Sequence, residues 1–252
     1  DDRLALLAAE YAEYYEYVVD RFSNHYGGDL LGGIAGLASH GIIELLATAA
    51  THAYLPLLSE ERARVQMRLG CEACERNFGV RPRGAWLPEC GYVPGVDGIL
   101  KEFGVRYFFV ETHGILNASP PPRRGVYAPL ACRSGVAAFG RDPESSRQVW
   151  DRETGYPGDP YYREFYRDIG YDLDLDYLAP CLPGGKIRCD TGLKYYRITG
   201  PGPAKELYLP DLAAARAVRD AGDFAANRGL QVKQLAARLD RKPIVVAPYD
   251  AE

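Results

Sequence analysis

The chain has 252 residues, 47% of them hydrophobic and 25% charged, which is enough for one large α/β domain with a substantial core and the wrong balance for a disordered segment. A net charge of −4 without clustered Lys and Arg argues against nucleic acid as a partner. No run of 18 apolar residues is present to cross a membrane.

In chain order, the first helix is expected over residues 3–22, Tyr-rich on one side. A strand over 42–47 leads into the polar word Thr51-His52-Ala53-Tyr54. Ser59 then reads as a helix N-cap, with Glu60 and Glu61 in the first turn and Gly79 as the stop after Phe78. A second strand over 84–87 ends at Pro88-Glu89-Cys90, a short helix covers 96–103, and a third strand over 105–110 ends at Glu111-Thr112-His113. That third run is continuously apolar and aromatic, as expected of a strand buried on both faces. Residues 111–210 carry few helix or strand signals and are expected to form an inserted loop region over the mouth of the site, a lid or binding platform. A helix over 211–239 precedes a fourth strand, 244–247, which ends at Pro248-Tyr249-Asp250.

Alternating helices and buried strands imply a parallel sheet with helical crossovers. Polar residues at the C-terminal ends of several strands are where a β/α barrel places its chemistry. A doubly wound open sheet competes, but Gly27-Gly28 and Gly32-Gly33 make no phosphate loop after a first strand. The cysteines at 71, 74, 90, 132, 181 and 189 lack the second CxxC or HxxxH of a zinc site. No secretory segment precedes them, so reduced thiols in a cytoplasmic protein are expected, with no metal and no cofactor.

Glu89 and Asp250 are the candidate carboxylates, each at a strand end behind a proline. Glycosidic cleavage needs two, one at the anomeric carbon and one giving a proton to the leaving oxygen. Taken alone, each reads first as a cap or an ion-pair partner. The nineteen tyrosines suit a sugar cleft, and equally a core packed around tyrosine hydrogen bonds.

The words Ala50-Thr51-His52-Ala53-Tyr54-Leu55-Pro56-Leu57-Leu58, Trp86-Leu87-Pro88-Glu89-Cys90-Gly91-Tyr92 and Ala247-Pro248-Tyr249-Asp250-Ala251-Glu252 resemble consecutive motifs of glycoside hydrolase family 57. Gln148-Val149-Trp150, Gly155-Tyr156-Pro157-Gly158-Asp159 and Tyr162-Arg163-Glu164-Phe165-Tyr166-Arg167-Asp168 are similar to words of its 1,4-α-glucan branching enzymes. The resemblance implies an incomplete seven-stranded β/α barrel and a retaining, double-displacement mechanism. By position, Glu89 would be the nucleophile and Asp250 the general acid and base. An α-glucan would be both donor and acceptor, the acceptor's 6-hydroxyl giving an α-1,6 branch.

His52 is expected to hydrogen-bond sugar hydroxyls, Trp86 and Trp150 to stack on sugar rings, Arg141 to orient a carboxylate or hydroxyl, and Tyr127 to shield the intermediate from water. His113 is read as structural. The family's first motif and its helical C-terminal domain are missing, so residues 1–252 are expected to be part of a catalytic barrel. The alternatives are α-amylase or 4-α-glucanotransferase activity, a metal-dependent polysaccharide deacetylase (which lacks its HxxxH pair here), and a non-catalytic glucan-binding protein.

Overall fold

A computed structural model describes residues 2–185 and 187–250. The elements, in chain order, are α1 (Asp2–Asp20), α2 (Leu30–Ser39), α3 (Glu60–Phe78), β1 (Gly84–Ala85), α4 (Val96–Glu102), β2 (Tyr107–Val110) and α5 (Thr112–Leu116). There follow β3 (Leu130–Ala131), β4 (Ala137–Gly140), α6 (Pro143–Trp150), α7 (Ile169–Asp172), α8 (Leu175–Leu178) and α9 (Pro210–Arg238). The chain divides into two compact units: Asp1–Arg21 with Arg147–Arg228, and Phe22–Ser146 with Gly229–Glu252. The second holds the sheet.

Four strands lie in the order β1-β2-β4-β3. β1, β2 and β4 are parallel, and β3 runs antiparallel to β4. This small mixed sheet has fewer strands than the seven the family resemblance implies. The segment expected as the first strand touches it through one parallel bridge, Ala47 to Ala85. The segment expected as the fourth is extended rather than laddered: Ile244 N–H donates to Tyr127 O and Val246 O accepts from Asp142 N–H. Residues 111–210 contain β3 and β4, whose short apolar words Leu130-Ala131 and Ala137–Gly140 are separated by a Cys-Arg-Ser-Gly turn.

The core sits on one face of this sheet. Ala63, Met67, Cys71 and Cys74 form a buried stripe on α3 at helical spacing, and Met67 and Cys71 pack with Leu100, Phe108, Val110 and Ala138. β2 therefore alternates, with Phe108 and Val110 buried and Tyr107 and Phe109 half-buried, rather than being buried on both sides as its apolar run suggested. On the other face Tyr107, Phe109, Phe139 and Trp86 pack ring against ring, at centroid separations of 5.7 to 6.2 Å. The expected caps of α3 are present. Ser59 accepts from Arg62 N–H, and Gly79 ends the helix with φ +66°.

In the first unit, the word 155–159 does structural work. A Cβ at Gly158 would lie 1.9 Å from the Arg152 carbonyl, and one at Gly155 2.5 Å from two carbonyls of the preceding turn. Tyr156 donates to Asp223 on α9 at 2.7 Å, and Arg216 of the same helix pairs with Asp159 at 3.1 Å. Asp168 is buried and accepts hydrogen bonds from the backbone of Gly170, Thr191 and Gly192 and from the Thr191 hydroxyl.

Candidate active site

The site lies in the second unit, at the C-terminal ends of its parallel strands. After β1 the chain enters a single turn, Pro88–Cys90, where the ring of Pro88 fixes φ at the entry. Glu89 and Cys90 both have φ +53°, and so does His52. Among the described residues these are the non-glycine positions with left-handed backbone. Such backbone costs about 1–3 kcal/mol per residue and concentrates at functional sites.

Two contacts bring His52 to Glu89. Gly91 has no Cβ, and the Tyr54 ring occupies its space, 2.3 Å from where one would stand. On the other side, α3 holds the same segment: Gln66 accepts from Thr51 N–H and Oγ1 at 3.0 and 3.2 Å, and Gly70 lets the Thr48 carbonyl approach the helix. The result is His52 Nε2 at 4.0 Å from Glu89 Oε1, both side chains open to solvent.

Asp250, Tyr249, Pro248, His52, Trp86 and Arg141 line one cavity of about 360 Å³. Of the residues singled out in the sequence, the structure thus gathers His52, Trp86, Arg141 and Asp250 on one wall, with Glu89 next to His52. Ala251 and Glu252, which complete the last family-like word, lie outside the described residues.

The other two candidates sit elsewhere. Tyr127 packs against the core, and burial first, then the carboxylate of buried Asp142, pushes its phenol up. Asp142 also accepts from Ser145 N–H at 2.8 Å and Gln231 Nε2 at 3.0 Å, so Tyr127 belongs to a buried polar cluster beneath the strand ends. Trp150 belongs to the first unit, where it lines a cavity of about 850 Å³ with Phe165, Tyr166, Arg167 and Lys205. Four cations line it: Arg167 pairs with Asp172 and Lys205 with Glu164, both at 2.8 Å, while Arg152 and Arg163 lie over tyrosine rings.

Glu111 is a neighbour that the sequence marked only as a strand end. It accepts from Arg141 Nη1 at 2.8 Å. Burial, and next the charge of Glu111, push the thiol of Cys90 up to about 11. All six cysteines are free thiols. Among the described residues no cluster of three His, Cys, Asp or Glu could hold a metal ion, and no helix is long and apolar enough to cross a membrane.

A carboxylate after the parallel strand β1 and a second one lining a cavity with a histidine, an arginine and a tryptophan mark an α/β scaffold with its polar groups gathered at one end of the sheet. The model of glycosyl hydrolase family 57 matches residues 11–170, and the chain belongs to that family. The chain is 35% identical to the 1,4-alpha-glucan branching enzyme of Thermococcus kodakarensis, over 89% of this chain and 35% of that one. Its structure is similar to that of alpha-amylase AmyC from Thermotoga maritima, at 41% identity and TM-score 0.86, covering 97% of this chain and 48% of the other. The GH57-type branching enzyme of Pyrococcus horikoshii is also similar, at 33% identity and TM-score 0.82, with coverages of 99% and 46%. The chain spans about a third to a half of the length of these relatives.

Proposed function

We propose that this chain carries the catalytic pair of a retaining α-glucan transglycosylase, which cuts α-1,4 linkages and rejoins the freed chain as an α-1,6 branch. The observation that carries the reading is the convergence of His52, Arg141, Trp86 and Asp250 on one cavity, with Glu89 held on a left-handed turn against His52. The fold that goes with it is the incomplete seven-stranded β/α barrel, with β1, β2 and β4 among its parallel strands.

The chemistry follows from two carboxylates. Glu89 attacks the anomeric carbon while Asp250 gives a proton to the departing glycosidic oxygen, leaving a glucosyl ester on Glu89. Asp250, now ionised, takes the proton from an acceptor 6-hydroxyl, whose oxygen displaces Glu89. Water in place of that hydroxyl gives hydrolysis. His52 hydrogen-bonds sugar hydroxyls beside the nucleophile, and Trp86 offers a stacking face. Trp150 and its aromatic neighbours Phe165 and Tyr166 supply a platform for a glucan segment. Reduced cysteines and a cytoplasmic location go with this reading.

The family relatives include both branching enzymes and an alpha-amylase. The words 155–159 and 162–168 favour branching, whereas the likeness to AmyC favours hydrolysis. Incubation with amylose, followed by debranching and chain-length profiling, separates the two. New α-1,6 branches are expected. Shorter linear chains and reducing ends without branches would place the activity with α-amylase or 4-α-glucanotransferase.

A further inference from the structure

Glu111 follows β2 directly and Arg141 follows β4 directly. The two strands pair in parallel with Val110 opposite Gly140, so their ends leave the sheet side by side. Three further bonds fix the junction. Arg141 N–H donates to Val110 O at 3.0 Å, Thr112 Oγ1 donates to Arg141 O at 2.8 Å, and Arg141 Nη1 donates to Glu111 Oε1 at 2.8 Å. Both side chains of the ion pair are largely withdrawn from solvent, at 24% and 35% exposure, where a charge pair is stiffer and less screened than on an open surface.

A guanidinium has five N–H donors in a fixed planar fork. Here Nη1 is directed at Glu111, and Nε is buried without a hydrogen-bond partner among the described residues. Arg141 is also part of the cavity wall with His52 and Asp250. Burial keeps Nε away from the cavity, and it is the part of the fork that lines the wall which suits oxygen acceptors of a ligand. The pairing with Glu111 cancels the positive charge, which suits an uncharged polyhydroxylated chain better than an anion. The charge of Glu111 also acts on the thiol of Cys90, the residue beside Glu89, so one carboxylate influences both the guanidinium and the turn that presents Glu89.

We propose that Glu111 is a positioning residue of the sugar-binding wall: it fixes the Arg141 fork so that the remaining donors meet hydroxyls of a neutral α-glucan. This rests on the glucan reading above and adds to it the residue that sets the geometry of the wall.

The test is maltoheptaose binding by calorimetry to the Glu89→Gln protein, in which the ligand is not consumed. Added Glu111→Gln and Arg141→Ala changes should each weaken binding about tenfold or more. Millimolar guanidinium should restore binding to the Arg141→Ala protein. It should fail to do so when Glu111→Gln is also present, because the carboxylate is what seats the added ion. A purely structural role for Glu111 gives no such dependence of rescue. If Glu111→Gln unfolds the protein, Arg141→Lys, which keeps the charge and loses the fork, should weaken binding to a similar extent. Binding within twofold of the Glu89→Gln protein for Glu111→Gln or Arg141→Lys, or equal rescue with and without Glu111, overturns the proposal. Absence of maltoheptaose binding to the Glu89→Gln protein itself overturns the glucan reading, and this inference with it.

Discussion

Left-handed backbone at His52, Glu89 and Cys90 places strain where the chemistry is proposed and nowhere else among the described non-glycine residues. The His52 side chain is open to solvent, so its removal should disturb activity far more than folding. His52→Ala is predicted to lower kcat/KM on amylose by roughly ten- to a hundredfold, about 1.4–2.7 kcal/mol of transition-state stabilisation, with the melting temperature nearly unchanged. An equal fall in thermal stability would assign the histidine to packing instead. Asp168 shows the opposite case, a carboxylate whose work is structural. Burial by itself would raise its pKa, but the Thr191 hydroxyl and the N–H groups of Gly170, Thr191 and Gly192 outweigh that and hold it below the usual carboxylate range. A depressed folded pKa means that its stabilisation is present above the unfolded value, near 3.9, and is lost as pH falls through the folded value. Denaturation followed by circular dichroism should therefore show stability falling below about pH 4, and Asp168→Asn should flatten that acid limb while lowering stability at neutral pH. An acid limb unchanged in the variant would contradict this assignment.

At the scale of elements, two glycines hold the segment around His52, and they should fail differently. A Cβ at Gly70 would lie 1.8 Å from the Thr48 carbonyl, which is backbone and has nowhere to move. Gly70→Ala should push α3 off that segment and cost about 2 kcal/mol, a melting-temperature drop of roughly 4–8 °C for a chain of this size. A Cβ at Gly91 would meet the Tyr54 ring, which is 42% exposed and can swing outward. Gly91→Ala should thus fold with little loss of stability but displace His52 from Glu89, measured as a larger loss in kcat than in melting temperature. Helix α3 was legible in the sequence because its caps and its stripe of Ala63, Met67, Cys71 and Cys74 are local signals. Strands β3 and β4 were not, since four or fewer residues flanked by turns carry no periodicity, and only pairing with β2 makes Ala137–Gly140 a strand. The run at 105–110 misled in one respect: its aromatics reflect a ring cluster on the second face, not burial there.

For the molecule as a whole, the strand-end words marked the carboxylates, but the division into two units was hidden. Its boundaries fall at Arg21/Phe22, Ser146/Arg147 and Arg228/Gly229, the last two inside helices α6 and α9, where the helix runs on unbroken across the change. Trp150, grouped with Trp86 in the sequence because both are tryptophans beside family-like words, belongs with Phe165 and Tyr166 in the first unit. Glu111 escaped selection for a related reason. Its value comes from Arg141, thirty residues away and reached only through the β2–β4 pairing. The central claim is that Glu89 attacks a glucosyl carbon. Its most direct test is to incubate the protein with an activated fluoro-α-glucosyl donor, digest it and measure peptide masses. The account predicts one glucosyl adduct, carried on Glu89 and absent from Glu89→Gln. An adduct on another residue, or amylose conversion that persists in Glu89→Gln, would contradict it.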